Sequence, residues 1–350
     1  ANATEPVLAE RIEVLRGPST LLFGSGAIGG VVNVIDTRIP RAVPASPTGA
    51  IEFRRASNGE ARVGVGRLEG GTGNFAFHVD GFQRENDTIE IPGMADPEGE
   101  GERGEIANSD AEARAATLGA SWVTDRGFLG VSVNRLETDY GIPPGAHGHH
   151  GHEDHEGEEH EEEDHEEHDH EDEEHAGEEE QVRIDLEQTR YDLHGEIAEP
   201  LPWLEKLRVG LAYTDYEHTE LEGAEVGTVF GNNSLDGRVE AIHDIGPFHG
   251  AIGLQFGNRD FKAVGAEAFV PGSQSDSWGL FGVEDFHAEP LTWEFGLRVG
   301  QDRHDPDGGD ARDFDTFSAS VSALWELDEA QKLKFSLSRV QRAPAPEELF

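Results

Sequence analysis

The stretch KLRVGLAYTDY, residues 206–216, alternates between apolar and polar side chains. Its apolar side chains occupy every second position: Leu207, Val209, Leu211 and Tyr213. Since successive side chains of a β-strand point to opposite faces of a sheet, this period of two predicts a strand with one apolar and one wet face. NFAFHVDGF (74–82) and LKFSLSR (333–339) repeat the pattern. We count about thirteen such segments from about Gly49 onward, and no long amphipathic helix competes with them.

The connections between these segments alternate between short and long. The short ones cover 69–73, 125–127, 199–205, 245–247, 289–291 and 327–331. The long ones cover 86–112, 139–182, 221–232, 263–275 and 304–313. In an antiparallel meander, alternate loops lie at opposite ends of the sheet, so all the long loops are expected at one end. This pattern is typical of an all-β, antiparallel transmembrane β-barrel, whereas a soluble sandwich has less regular connections.

The charge of the chain is strongly acidic, with 72 Asp and Glu against 27 Lys and Arg in 350 residues. Residues 147–180 alone hold 19 acidic residues and 10 histidines, and the remainder is still acidic. Such a surface argues against a nucleic-acid partner, which requires a basic stripe, and favours a cationic ligand. The chain has no cysteine, which excludes disulfides and thiolate sites, and no apolar stretch approaches the length of a transmembrane helix.

The stretch LLFGSGAIGGVVNVI, residues 21–35, contains the GxGxxG spacing of a dinucleotide-binding loop. That mechanism requires a helix after the glycines, because the helix N-terminus holds the phosphate. Here a β-branched run follows, which predicts a strand, and no acidic partner stands about 20 residues further on. We therefore interpret the glycines as structural. The sequence also lacks HExxH and a GxSxG elbow, and we predict that the protein is not an enzyme.

A histidine- and acid-rich tract, HGHHGHEDHEGEEHEEEDHEEHDHEDEEH, occupies residues 147–175. Its imidazoles and carboxylates are the ligand types that suit zinc and, less selectively, nickel, copper or cobalt. The candidate ligands are His147, His149, His150, His152, His155, His160, His165, His168, His170 and His175. The alternative is a solvated acidic tract without function, since this composition cannot bury enough apolar surface to fold.

A second candidate metal site is the segment DYEHTE, residues 215–220. Strand alternation places Tyr216, His218 and Glu220 on one face, at the end of a strand that leads into a long loop. The alternative is that an acidic strand end is simply wet. Four lone histidines are interpreted as lumen or rim residues rather than ligands: His243, His249, His287 and His304. Glu284 is interpreted as a lumen carboxylate with no assigned role.

Two further stretches carry a resemblance to a known family. ERIEVLRGPSTLLFGSGAIGGVVNVIDTRIP (10–40) resembles the last part of the plug domain of TonB-dependent outer-membrane receptors, and RAPAPEELF (342–350) resembles their mid-barrel segment. The resemblance implies a plug seated inside a 22-stranded barrel in the outer membrane of a Gram-negative bacterium. Residues 1–40 would then be the C-terminal part of the plug and 41–350 the N-terminal part of the barrel. We expect a fragment that holds about thirteen of the 22 strands.

Within that family the chain looks most like the zinc-uptake receptors. The likeness runs through four stretches: 119–152, 184–196, 215–220 and 281–289. It implies that the loop 139–182 is a histidine-rich extracellular loop, and that Glu220, with His218 beside it, helps to bind zinc where plug and barrel meet. Zinc would be the transported ligand, with no catalytic cofactor. The implied partners are a divalent metal ion, outer-membrane lipid and the inner-membrane TonB complex, which would act through an absent N-terminal part.

Two other functions remain open at this point. The first is a receptor of the same architecture that takes up a metal chelate, such as a siderophore or a cobalt or nickel complex. The second is a secreted metal-buffering protein in which the histidine-rich tract is the whole function.

Overall fold

The computed structural model describes residues 5–16, 20–24, 26–95, 103–143, 181–265, 268, 270–328 and 331–349. The first half of the chain forms β1 (Ala9–Arg16), α1 (Thr20–Phe23), β2 (Gly30–Asp36), β3 (Thr48–Arg55), β4 (Arg62–Thr72), β5 (Phe75–Asn86), β6 (Ile89–Met94), β7 (Arg103–Ile106), β8 (Ala111–Thr124) and β9 (Gly127–Gly141). The second half forms β10 (Val182–Leu201), β11 (Leu204–Glu222), β12 (Glu225–Ile245), β13 (Phe248–Gly265), β14 (Ser273–Ala288), β15 (Leu291–Pro306), β16 (Arg312–Glu326) and β17 (Lys332–Arg339). Within these ranges no helix is long and apolar enough to cross a membrane.

The main architectural unit is one antiparallel sheet of 13 strands, in the order β17 to β8 followed by β5, β4 and β3. Each strand pairs with its neighbour in sequence, apart from β6 and β7, which form a separate hairpin between β5 and β8. β1 and β2 form a third, two-stranded sheet. The predicted all-β meander of about thirteen strands is therefore confirmed.

The predicted short turns are confirmed, and they lie where the polarity pattern placed them. β12 ends at Ile245 and β13 begins at Phe248, for example. The prediction of a long loop over 221–232 is wrong, because β11 and β12 are joined by a tight turn at Gly223, whose φ is +58°. Both strands continue through polar sequence at this end, since ladder hydrogen bonds need no apolar face.

One face of the large sheet, which we call the inner wall, packs against the segment that contains β1, α1 and β2. Leu8 contributes to a cluster with four inner-wall residues, Val65, Phe82, Ala113 and Leu136. Arg238 of β12 donates a hydrogen bond to the carbonyl oxygen of Leu22 in α1. The carboxylate of Glu5, which is 2 % exposed, binds Arg54 of β3 and Arg84 of β5.

The opposite face of the sheet carries a band of exposed apolar side chains. Phe53, which is 83 % exposed, and Leu337, which is 74 % exposed, lie on the outermost strands of this band. At one margin Tyr191 and Tyr213 lie side by side, with ring centroids 6.4 Å apart. The next residue of β11 on this face, Asp215, is exposed and charged. An apolar band that ends in aromatic residues is the surface expected of a membrane-spanning barrel.

The prediction that Glu284 faces the lumen is wrong. The strand register sets Glu284 in line with Gly250 and His243, and the neighbouring rows on that face contain Ile252 and Phe248, which are exposed members of the apolar band. Polarity of the residue therefore does not reveal its face here. The side chain reaches across Gly250, where a β carbon would overlap it, and binds Nε2 of His243 at 2.9 Å.

Candidate functional site at the loop end of β9, β10 and β11

The last third of β11 carries the residues of the predicted metal site. Tyr216, His218 and Glu220 alternate with exposed residues that include Glu217, and all three belong to the same face as Arg208, on the inner wall. The prediction that they share one face is confirmed. They lie beyond the Tyr191–Tyr213 pair, on the loop side of the apolar band and outside it.

The imidazole of His218 is held between two aromatic rings. It stacks on Phe230 of β12, with ring centroids 4.5 Å apart and 12° between the planes, and meets Tyr216 edge-on at 5.5 Å. Burial lowers the pKa of His218 below its ordinary value. Nδ1 of His218 is buried and has no hydrogen-bond partner among the described residues. A neutral imidazole with an unused nitrogen is the form that binds a metal ion.

Glu220 lies one step closer to the loop end. The register aligns it with Ile184 of β10 and Tyr140 of β9 on one side and with Thr228 of β12 on the other. Burial raises the pKa of Tyr140, and the charge of Glu220 raises it further. Thr228 is fully buried, and its hydroxyl has no partner in the described part of the chain. Glu220 is therefore aligned with one buried hydroxyl, that of Thr228, that has no hydrogen-bond partner among the described residues.

The described residues on both sides of the histidine-rich tract lie directly beside this site. β9 ends at Gly141 and β10 begins at Val182, and the pairing of Tyr140 with Ile184 continues across β11 to Glu220. The amide of Ile142 donates to the carbonyl of Val182 at 2.9 Å, which closes the base of the loop. All ten histidines of the tract, His147 to His175, lie outside the described residues.

No group of three or more His, Asp or Glu side chains is assembled for metal binding within the described ranges. His218 and Glu220 are two residues apart on one strand, so their backbones are separated by about 7 Å. They can contribute two ligands to a shared ion only if other groups complete the shell, since zinc takes about four. These two side chains alone therefore do not make a complete zinc site.

The sequence did not single out Tyr140, Thr228 and Phe230 as members of this site. Phe230 and Thr228 fell inside the predicted long loop, so their strand register could not be assigned. Tyr140 fell inside the predicted loop 139–182, and continuing the alternation of the preceding strand by two residues would have placed it on the inner wall.

Comparison with protein families identifies the class of protein. Residues 116–350 match the β-barrel of TonB-dependent receptors ("TonB dependent receptor-like, beta-barrel"), and residues 1–31 match the TonB-dependent receptor plug domain. The chain belongs to the TonB-dependent receptor family of the Gram-negative outer membrane, in which the inner wall faces the barrel lumen. We call β1, α1 and β2 the plug segment.

The curated relatives match over short stretches. The chain is 38 % identical over 64 residues to a hemin receptor of Yersinia enterocolitica, which is 18 % of this chain and 9 % of that receptor. It is 58 % identical over 38 residues to the ferric enterobactin receptor PirA of Pseudomonas aeruginosa, which is 11 % of this chain and 5 % of that receptor.

Solved structures match over nearly the whole chain. The copper transporter OprC has a TM-score of 0.71 at 14 % identity, over 97 % of this chain and 53 % of that chain. The FrpB iron transporter from Neisseria meningitidis has a TM-score of 0.73 at 11 % identity, over 97 % and 54 %. At these identities the likeness concerns the fold, and the chain spans about half the length of the receptors it matches.

Proposed function

We propose that the complete protein captures a divalent transition-metal ion, zinc foremost, at the extracellular end of the barrel and imports it when the TonB complex displaces the plug. The observation that carries this proposal is the position of His218 and Glu220. Both lie on the lumen wall beyond the apolar band, in line with the point where the histidine-rich tract leaves β9 and enters β10. The barrel segment and the tract act as receptor and collector, and neither is an enzyme.

The chemistry of the two elements differs. The tract offers many interchangeable imidazoles and carboxylates, which favours collection of ions without strong selection. His218 is fixed by Phe230 and Tyr216 and is kept neutral by burial, so it is preorganised for a metal ion. Ions collected by the tract would pass to the wall site, and upstream plug residues would complete the ligand shell there.

A second candidate function is uptake of an anionic metal chelate. A lumen cavity of about 800 Å³ lies between the plug segment and β9 to β13. Its lining includes six arginines, Arg11, Arg38, Arg41, Arg190, Arg208 and Arg238, and five carboxylates, four of which form ion pairs with these arginines. Guanidinium groups suit carboxylates and other anions of a chelate. The names of the curated relatives, receptors for hemin and ferric enterobactin, point the same way.

The experiment that tests the proposal is uptake by cells that produce the full-length receptor and carry or lack a functional TonB complex. Radioactive zinc is supplied as the free ion at limiting concentration, with hemin or a ferric siderophore as competitor. We expect energy-dependent zinc uptake that neither competitor reduces. Uptake of the chelate with no uptake of free zinc would replace the first candidate by the second.

A further inference from the structure

The connection between the plug segment and the first barrel strand is fastened along the inner wall. We call residues 37–43 the strap. It begins directly after β2, which ends at Asp36, and precedes β3, which begins at Thr48. Its first two residues contact β4, β5 and β8 at one height, because Glu69, His78 and Gly119 are aligned by the strand register.

Thr37 fastens the start of the strap. Its hydroxyl donates to Oε1 of Glu69 at 2.6 Å and lies 3.5 Å from Nδ1 of His78. His78 is 2 % exposed and is itself held by two carboxylates, Glu69 at 3.2 Å and Asp80 at 2.6 Å. The hydroxyl thus binds to a polar group of the wall that is already fixed in place.

Arg38 fastens the next position through both its side chain and its backbone. Its guanidinium binds Asp36 at 2.7 Å and reaches Asp192 of β10 at 3.6 Å. Its carbonyl oxygen lies against Gly119, where a β carbon would overlap it. No residue other than glycine leaves room for the strap at this point of the wall.

Ile39 and Val43 seat the rest of the strap on two more glycines. Ile39 is 6 % exposed, and its γ2 carbon lies 2.5 Å from the place that a β carbon on Gly130 would take. The γ1 carbon of Val43 lies 2.8 Å from the corresponding place on Gly71. Missing side chains on three strands therefore form a track that the strap occupies.

The contacts of the plug segment are of a different kind. β1 and β2 pair only with each other in the described part of the chain, and no ladder joins them to the wall sheet. α1 leans on the wall through Leu22, whose carbonyl accepts from Arg238, and through Leu21, which packs where a β carbon of Gly296 would lie. Neither of these α1 contacts sets a backbone carbonyl against a wall glycine, as Arg38 does. Glu5 and Leu8, just before β1, are bound to the wall and have to be released when the plug moves.

We propose that the strap stays on the wall during transport and that displacement of the plug ends at Asp36. The proposal rests on the proposed function in so far as transport requires the plug to move. The lumen cavity is bordered by Asp36, Arg38, Ile39 and Arg41. A fixed strap therefore forms one permanent wall of the transport path through the lumen. This path opens next to β10 to β13.

The test uses two disulfide tethers in the full-length receptor, in a background without other cysteines. Ile39→Cys with Gly130→Cys ties the strap to β9, since their β carbons would lie within about 4 Å. Leu21→Cys with Gly296→Cys ties α1 to β15 as the matched control, because the γ carbon of Leu21 lies 3.6 Å from the β position of Gly296. Uptake of radioactive zinc by cells that produce each variant is measured with and without reductant.

We expect the strap tether to leave uptake within about twofold of the reduced receptor, and the α1 tether to reduce it about tenfold until reductant is added. Loss of uptake with the strap tether would overturn the proposal, because the strap would then have to move. Unchanged uptake with both tethers would also overturn it, because α1 would then not have to leave the wall, and Asp36 would not separate a moving part from a fixed part.

A second measurement needs no transport and therefore separates failure of the strap from failure of the proposed function. Gly119→Ala should lift Arg38 off the wall, and trypsin should then cut after Arg38 about tenfold faster in membranes. Gly210→Ala is the control, since its β carbon would meet His194 at an ordinary 3.5 Å. Equal cleavage of both variants and the unchanged receptor would contradict a seated strap.

Discussion

The imidazole of His218 lies almost parallel to the ring of Phe230, with 4.5 Å between the ring centroids and 12° between the planes. The stacked ring excludes water from one side of the imidazole, and burial lowers the pKa of His218. A free histidine titrates near pH 6.5, whereas this one stays neutral to a lower pH. As a proposed zinc ligand, His218 should therefore keep its ion in mild acid.

The first prediction concerns the pH dependence of zinc binding. In full-length receptor that lacks 147–175, affinity should persist below pH 6.5, because a lowered pKa keeps His218 neutral there. Phe230→Ala removes the burial and should move the loss of zinc binding on acidification to a higher pH. Zinc titration between pH 5 and 8 measures this, with Phe261→Ala on the next strand as the control. Identical pH profiles for both variants would refute the role of Phe230.

The second prediction concerns Glu220. Glu220→Ala should weaken zinc binding at least about 10- to 100-fold, because a preorganised site has no spare ligand. Glu217→Ala is the matched control, since Glu217 lies on the same strand and faces away from the lumen. His160→Ala should have little effect, because nine other histidines of the tract can replace it. Equal, negligible losses in all three variants would remove Glu220 from the site.

The third prediction concerns the histidine-rich tract. Deletion of 147–175 from the complete receptor should lower the number of zinc ions bound and slow growth at limiting zinc, while a tighter site remains. The reason is that Phe230 and Tyr216 hold His218 in place, whereas the ten histidines of the tract can replace one another as ligands. Isothermal titration of the deleted receptor measures both quantities. Disappearance of all tight binding on deletion would show that the tract itself is the site.

The fold was predictable because alternation and turn spacing are local signals. The alternation around Leu211 determined which face of its strand is apolar. The turn at 245–247 determined where the preceding strand ends. The strand segments that continue beyond the apolar band toward the loop end were not predictable in the same way. Beyond Tyr213 both faces of β11 carry polar side chains, so no hydrophobic period marks the strand that leads to the turn at Gly223.

The residues of the candidate site show the same difference between local signals, which the sequence contains, and long-range pairing, which it does not reveal. The shared face of His218 and Glu220 followed from strand geometry alone, but their neighbours Phe230 and Thr228 depend on the register between β11 and β12. That register is set by hydrogen bonds between distant segments. Glu284 was interpreted as a lumen carboxylate, and only its register with Gly250 reveals that it faces outward.

The last prediction concerns the outward-facing pair of His243 and Glu284. Nε2 of His243 lies 2.9 Å from the carboxylate of Glu284 within the apolar band, and His243 is 6 % exposed. Removing one partner leaves a polar group without its partner in an apolar surround, which costs about 2 kcal/mol or more, whereas removing both avoids most of that cost. His243→Ala and Glu284→Ala should therefore each destabilise the full-length barrel more than the double variant does. Urea unfolding in detergent micelles measures the difference.

The control is the exposed pair of His249 and Asp244, at 3.2 Å, whose loss should cost no more than about 0.5 kcal/mol. If the effects of the two single substitutions simply add in the double variant, the two residues do not act as a pair.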